Sequence, residues 1–153
     1  MNSQFLSQRE EILAIVNQCD ACYIGMVDGE KPYVLPFNFA IEGDYLYIHS
    51  GPGGKKEAVL KANNNICAAF STAHEMYRQN ENVACSWGMK YKSVLIEGKV
   101  DFVETNEEKI EILNRVMLKY SGRGDFKYNN PAINNVVVYK IKIEKITGKK
   151  RGY

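Results

Sequence analysis

The residues most able to do chemistry sit together in the run Ser50-Gly51-Pro52-Gly53-Gly54-Lys55-Lys56, and the chemistry they suit is anion binding. Strand formers precede the run at Tyr45-Leu46-Tyr47-Ile48, and Lys55 to Ala62 reads as a helix. A strand that ends in small residues and opens a helix leaves backbone N–H groups unpaired at the helix start, where the dipole favours negative charge. Lys55 and Lys56 would add formal charge to a phosphate site. The order is neither that of a Walker loop nor of GxGxxG, and the same residues also suit a Gly-rich turn with two solvated lysines. His49 adjoins the run at a strand end, where an imidazole is either a hydrogen-bonded structural group or a proton-handling one.

Other reactive side chains give weaker signals. Cys19 and Cys22 form a CxxC with no second pair and no histidine at ligand spacing, and Cys22 falls on the inward alternation of a strand, so both read as core thiols. His49 and His74 are the only histidines, which leaves no metal site to propose. No GxSxG elbow occurs.

The elements that position these residues follow from periodicity. Ser7 and Glu10 form a capping box for a helix carrying Ile12, Leu13 and Val16 and ending near Asn17. Cys19 to Val27 predicts a strand, Asp28-Gly29 a tight hairpin turn, and Lys31 to Ile41 a second strand. Glu42-Gly43-Asp44 returns the chain into Tyr45 to Ser50, so the front half reads as a three-stranded meander followed by the lysine helix. Ile66 to Thr72 is β-like, and Ala73 to Met89 has no clear period and reads as a loop with frayed strand at its end. Tyr91 to Val103 alternates strongly. Thr105 and Glu108 cap a helix with Ile110, Leu113, Val116, Met117 and Tyr120 at helical spacing, stopped by Ser121-Gly122-Arg123-Gly124. Asn129-Asn130-Pro131 is turn chemistry, and Val136 to Ile146 is the last strand, with Val137, Tyr139, Ile141 and Ile143 on one face.

This order argues against a parallel sheet and for one domain over residues 1–153, a six- to seven-stranded antiparallel Greek-key split barrel with peripheral helices. Composition agrees with a globular chain: 45% hydrophobic and 25% charged residues, with a net charge of +2 that is too small to argue for nucleic acid. No apolar run is long enough to cross a bilayer, the polar stretch Met1 to Glu11 lacks a signal-peptide core, and four scattered cysteines suit a reducing compartment. A cytoplasmic location, with neither membrane nor nucleic acid as partner, is the expectation. Ten tyrosines against one tryptophan suit a pocket or subunit interface, and equally an amphipathic strand surface.

Several motifs in series then point to a family. Pro32 to Phe39, Tyr45 to Ser50, Gly54-Lys55-Lys56, Tyr91 to Val100, the helix opening Glu107-Glu108-Lys109, and Ile146 to Lys149 occur in the order and spacing of the pyridoxamine-phosphate-oxidase-like FMN-binding split-barrel proteins. The chain resembles most the nitroimidazole-resistance (Nim-like) branch. The resemblance implies FMN, with FAD as the alternative, bound between the subunits of a homodimer. It implies that Pro36, Phe37, Asn38 and Phe39 pass along the flavin ring and that His49 and Ser50 follow at the next strand end. Lys55 and Lys56 would meet the phosphate, and Tyr91, Ser93 and Val94 would come from the partner side. Lys149 would close the site. His49 takes the place of a histidine that the branch associates with nitro-group reduction, so it is the catalytic candidate for a small-molecule acceptor such as a nitroaromatic. A flavin-storage protein without turnover and a haem-binding relative of the same barrel are the other readings. The Ala73 to Met89 segment departs from the pattern by its length, His74, Trp87 and Met89 have no assigned role, and the Arg-rich substrate motif of a true pyridoxamine-phosphate oxidase is missing. A charge at Val94 is expected to disrupt both association and flavin binding.

Overall fold

A computed structural model describes residues 1–153. Eight antiparallel strands share one sheet: β1 Ser3–Leu6, β2 Cys22–Asp28, β3 Lys31–Phe37, β4 Ala40–Glu42, β5 Tyr45–Ser50, β6 Asn65–Arg78, β7 Trp87–Phe102 and β8 Val137–Arg151. Four helices accompany them, α1 Arg9–Gln18, α2 Lys55–Ala62, α3 Asn106–Ser121 and the short α4 Asn130–Asn134. The order along the sheet is β3-β2-β6-β7-β8-β5-β4, with β1 pairing β8 beside its last residues.

That order overturns the three-stranded meander. The predicted strand Lys31 to Ile41 is broken at Asn38 and Phe39, and its two pieces, β3 and β4, lie at opposite ends of the sheet. Only these two residues join Phe37 to Ala40, a reach of at most about 11 Å. The sheet must therefore curl until its ends nearly meet, yet no β3–β4 ladder joins them. A split barrel is the result.

Inward side chains of β2, β5, β6, β7 and β8, with Ile12, Ile15 and Val16 of α1 and Val59 and Leu60 of α2, make the main core. A second apolar cluster, Val103, Ile112, Leu113, Ile133 and Val138, seats α3 and α4 on the outside of the barrel at β8. Gly98 stands at a register shift between β7 and β8, where a Cβ would run into the Lys142 carbonyl. The outer row Pro36, Tyr23, Ala69 and Leu95, which register sets side by side across β3, β2, β6 and β7, stays open to solvent. In and beside it Tyr23, Val34 and Leu95 are 57%, 57% and 49% exposed.

Other boundaries move for identifiable reasons. Gln8, not Ser7, precedes α1 and makes no side-chain cap, and Cys19 ends that helix, so β2 begins only at Cys22. Asp28 pairs with Lys31, which makes Gly29-Glu30 the turn. The stretch Ala73 to Met89 is loop only over residues 79–86: on either side β6 and β7 run on as a ribbon in which Glu75 to Arg78 face Lys90 to Trp87. A register shift after Thr72, with Ala73 at φ 55°, breaks the alternation there and hides the strand from a periodicity reading. Asn129-Asn130-Pro131 opens α4, with the Asn129 carboxamide accepting from the Ala132 N–H at 2.8 Å. Thr105 caps α3 as expected, but the Glu108 carboxylate turns to Lys140 at 2.8 Å.

Candidate functional site

Between β5 and α2 the chain turns through Gly53 and Gly54 at φ 74° and 84°, left-handed values that a side chain would strain. Gly54 caps α2 without a side chain, so the first N–H groups of the helix have no side-chain acceptor. A Cβ built on Gly51, Gly53 or Gly54 would meet nothing within 4 Å, which leaves the loop open to an approaching anion. One donor is already engaged: the Gly53 N–H donates to Glu57 Oε2 at 2.6 Å, and Lys61 pairs with the other oxygen at 2.9 Å. These two contacts, Lys61 first, hold the Glu57 carboxyl below its ordinary range. Lys55 lies 3.1 Å from Asp28 and 4.5 Å from the centre of the Tyr33 ring, so the β2–β3 hairpin steadies it beside the helix start. Lys56 is half-buried. A phosphomonoester fits this combination of free N–H groups, open glycine backbone and two lysines.

His49 and Ser50 divide between the two faces of β5. Leu46 and Ile48 are fully buried in the barrel, which turns His49 to the other face with Tyr45 and Tyr47. Its Nδ1 is buried and has no hydrogen-bond partner. Burial pushes the imidazole pKa below its ordinary 6.5, so His49 is neutral at neutral pH and can offer one donor and one acceptor. Ser50 donates to the Gly51 carbonyl and accepts from the Tyr139 hydroxyl, both at 3.0 Å, which ties the strand end to the core.

The His49 assignment has a pH consequence. With the folded-state pKa below the unfolded one, the unfolded chain takes up a proton that the fold refuses. Stability is full above about pH 6.5 and falls as pH drops toward the folded-state value, by at most about 1.4 kcal/mol per pH unit. His49→Gln is expected to flatten that decline in denaturation curves taken at successive pH values. An unchanged slope in the variant would mean that His49 titrates as a solvated residue.

Pro36 to Phe39 offers less side chain than expected. Phe37 and Phe39 point into the core, where Phe39 meets Phe70 edge-on at 5.0 Å. Outward the segment presents Pro36, Asn38 and its backbone. Asn38 Nδ2 donates to the Asp20 carbonyl at 3.4 Å.

Tyr91, Ser93 and Lys149 form a separate group. Ser93 faces Lys149 across β7 and β8, and the polar groups of Ser3 and Lys149 beside Tyr91 draw its hydroxyl below the ordinary value. Val94 is 1% exposed in the core, so only its backbone could reach a ligand and its side chain is no interface wall, whereas Leu95 beside it points outward. Lys55 reaches Asp28, which lies on β2 three residues beyond the Gly25–Cys67 pair, whereas Ser71, four residues from Cys67 in the opposite direction along β6, opposes Ser93, a separation of about 20 Å. One chain therefore keeps the α2 loop, which follows Ser50 directly, apart from Tyr91, Ser93 and Lys149.

Sequence reading missed two residues. Arg151, opposite Tyr91, has a buried Nε without a partner; it follows the polar run Lys149-Lys150, past the expected strand end at Ile146. Tyr120 belongs by spacing to the apolar stripe of α3, but its hydroxyl bonds Phe39 in the break between β3 and β4 and the Asp20 carbonyl between α1 and β2.

Residues 8–150 match the family model described as pyridoxamine 5'-phosphate oxidase. A candidate 5-nitroimidazole antibiotic resistance protein from Bacteroides thetaiotaomicron is 39% identical, with a TM-score of 0.86, over 97% of this chain and 87% of that one. The flavocytochrome Anf3 from Azotobacter vinelandii shares the fold at 20% identity and TM-score 0.83, over 97% of this chain and 70% of its own. So does an FAD- and haem-binding protein from Mycobacterium smegmatis, at 13% identity and TM-score 0.86, over 97% of this chain and 74% of its own. A search of curated proteins gave no match. The family match over almost the whole chain, together with the 39% identical relative, means that this chain belongs to the pyridoxamine 5'-phosphate oxidase-like family.

Proposed function

We propose that the protein is an FMN-dependent oxidoreductase that acts as a homodimer and reduces a small organic acceptor, with nitroaromatics as the first class to try. The observation that carries this reading is the open α2 start, with its unpaired N–H groups and Lys55 and Lys56, on the strand-to-helix segment that also carries a neutral, partly buried His49 whose Nδ1 lacks a partner. The first suits the phosphate of FMN, and the second can donate or accept one hydrogen bond at the edge of a ring or substrate. Bound flavin would supply a reversible acceptor of electrons. His49 would orient the acceptor by hydrogen bonding, while the Pro36–Asn38 backbone would line the ring.

The separation of the two groups supports a homodimer, since one chain alone would not bring both to a single flavin. A second copy related by a two-fold axis could place its Tyr91, Ser93 and Lys149 against the α2 loop and His49 of the first, giving two equivalent sites. The open apolar row Tyr23, Val34 and Leu95 supports this, since so much exposed hydrocarbon on one sheet face suits an interface.

Protein purified without added cofactor is expected to be yellow, with absorption bands near those of free FMN, and the apoprotein should bind FMN more tightly than riboflavin. A Soret band in place of the flavin bands would favour haem, and a colourless protein that takes up neither FMN nor FAD would overturn the reading. Retention of flavin with no reduction of any nitroaromatic under a chemical reductant would leave storage as the function.

A further inference from the structure

We infer that Tyr120 is a positioning residue for the strand break that lines the proposed flavin site, an inference that rests on the flavin reading above. Phe39 lies between β3 and β4, outside both ladders, so its backbone N–H needs an acceptor that the sheet does not supply. The Tyr120 hydroxyl supplies it, accepting from Phe39 N at 3.1 Å, and donates its own proton to the Asp20 carbonyl at 2.7 Å. That carbonyl also accepts from Asn38 Nδ2. One hydroxyl thus joins the last turn of α3, the segment between α1 and β2, and the break itself.

The preceding residue contacts the ring of the same phenylalanine. Lys119 Nζ lies 4.6 Å from the centre of the Phe39 ring and donates to the Asn17 carbonyl at 3.0 Å. Phe39 is held by its ring against Phe70 and by its N–H on Tyr120, which steadies the adjacent Asn38 and the backbone back to Pro36 on the outward face. A flat ring packed along that backbone would sense a loosening of a few tenths of an ångström. Tyr120 acts here through Phe39 and Asn38 and does not touch the ring.

Tyr120→Phe keeps the aromatic body and removes the hydroxyl. The dissociation constants of FMN and riboflavin are both expected to rise, by about threefold to tenfold, because the ring side is disturbed and the phosphate loop is not. The visible bands of the bound flavin should move toward those of free flavin, and amide exchange at Phe39 should accelerate. Ser121→Ala serves as the control, since it removes the hydrogen bond of Ser121 Oγ to the Met117 carbonyl in the same helix turn without reaching Phe39. It should change thermal stability and leave both dissociation constants in place. Wild-type affinities and spectrum in Tyr120→Phe would overturn the positioning role, as would a loss confined to FMN or an equal loss in Ser121→Ala. A wild-type chain that binds neither flavin would overturn the cofactor reading itself, and this inference with it. Should Tyr120→Phe prove unfolded, Lys119→Met tests the same placement through the Phe39 ring, with the same expected loss for both flavins and the same overturning result.

Discussion

Val94→Asp is expected to yield little or no folded protein, while Leu95→Asp, one residue further along β7, is expected to fold as a monomer that has lost its flavin. Val94 is 1% exposed among the core side chains, and no buried cation lies among them to pair with a new carboxylate. An unpaired buried charge costs about 3–5 kcal/mol or more, against a total stability of about 5–15 kcal/mol for a domain of this kind. Leu95 is 49% exposed on the outer face, where substitutions cost about 0.5 kcal/mol or less. Its charge would act on association, because a carboxylate in the middle of an apolar isologous interface meets its own copy's hydrocarbon. Thermal unfolding, light scattering after size exclusion and the flavin-to-protein absorbance ratio separate the two effects. A dimeric, yellow Leu95→Asp would remove the outer face from the site, and a wild-type chain that is monomeric at full flavin occupancy would remove the shared site altogether.

The contrast between these neighbours shows what the sequence made legible. Alternation along Tyr91 to Val103 identified the strand, and the buried faces of β5 and of β8 at Tyr139 and Ile141 agree with their two-residue period. The lysine helix was legible to its ends, Lys55 and Ala62, because glycines and asparagines bracket it. Topology was not. Nothing in Lys31 to Ile41 announces that Asn38-Phe39 carries the chain from one end of the sheet to the other, since both halves have strand composition and the break is held by a tyrosine of a distant helix. Strand β1 was invisible for a different reason: Ser-Gln-Phe-Leu is short, mostly exposed, and owes its conformation to pairing with β8. The ribbon beyond Thr72 has both faces in or near solvent and so carries no burial period to read. Residue types marked the α2 loop as a candidate for a phosphate, whereas the separation of Tyr91, Ser93 and Lys149 from it required the register of β6 and β7.

Replacing Lys55 and Lys56 together by alanine should weaken FMN on the order of a hundredfold and riboflavin hardly at all. Hydrogen bonds to charged groups are worth about 1.5–3 kcal/mol each, and solvent screening at these partly exposed side chains puts the pair toward the lower end of the combined range. The helix N–H groups remain in the variant, so binding should persist in weakened form and lose much of its salt dependence. Lys55 has a second role open to it, since its ammonium joins Asp28 and lies over Tyr33, and its loss could loosen the β2–β3 hairpin instead. Asp28→Asn distinguishes the two. If Lys55 serves the phosphate, Asp28→Asn leaves FMN binding intact or strengthens it, because a competing carboxylate is gone. If Lys55 serves the hairpin, Asp28→Asn reproduces the damage of the lysine variant, and FMN and riboflavin suffer alike in both proteins. Isothermal titration of the two flavins against wild type, the double lysine variant and Asp28→Asn therefore decides whether the α2 loop holds a phosphate or merely a turn.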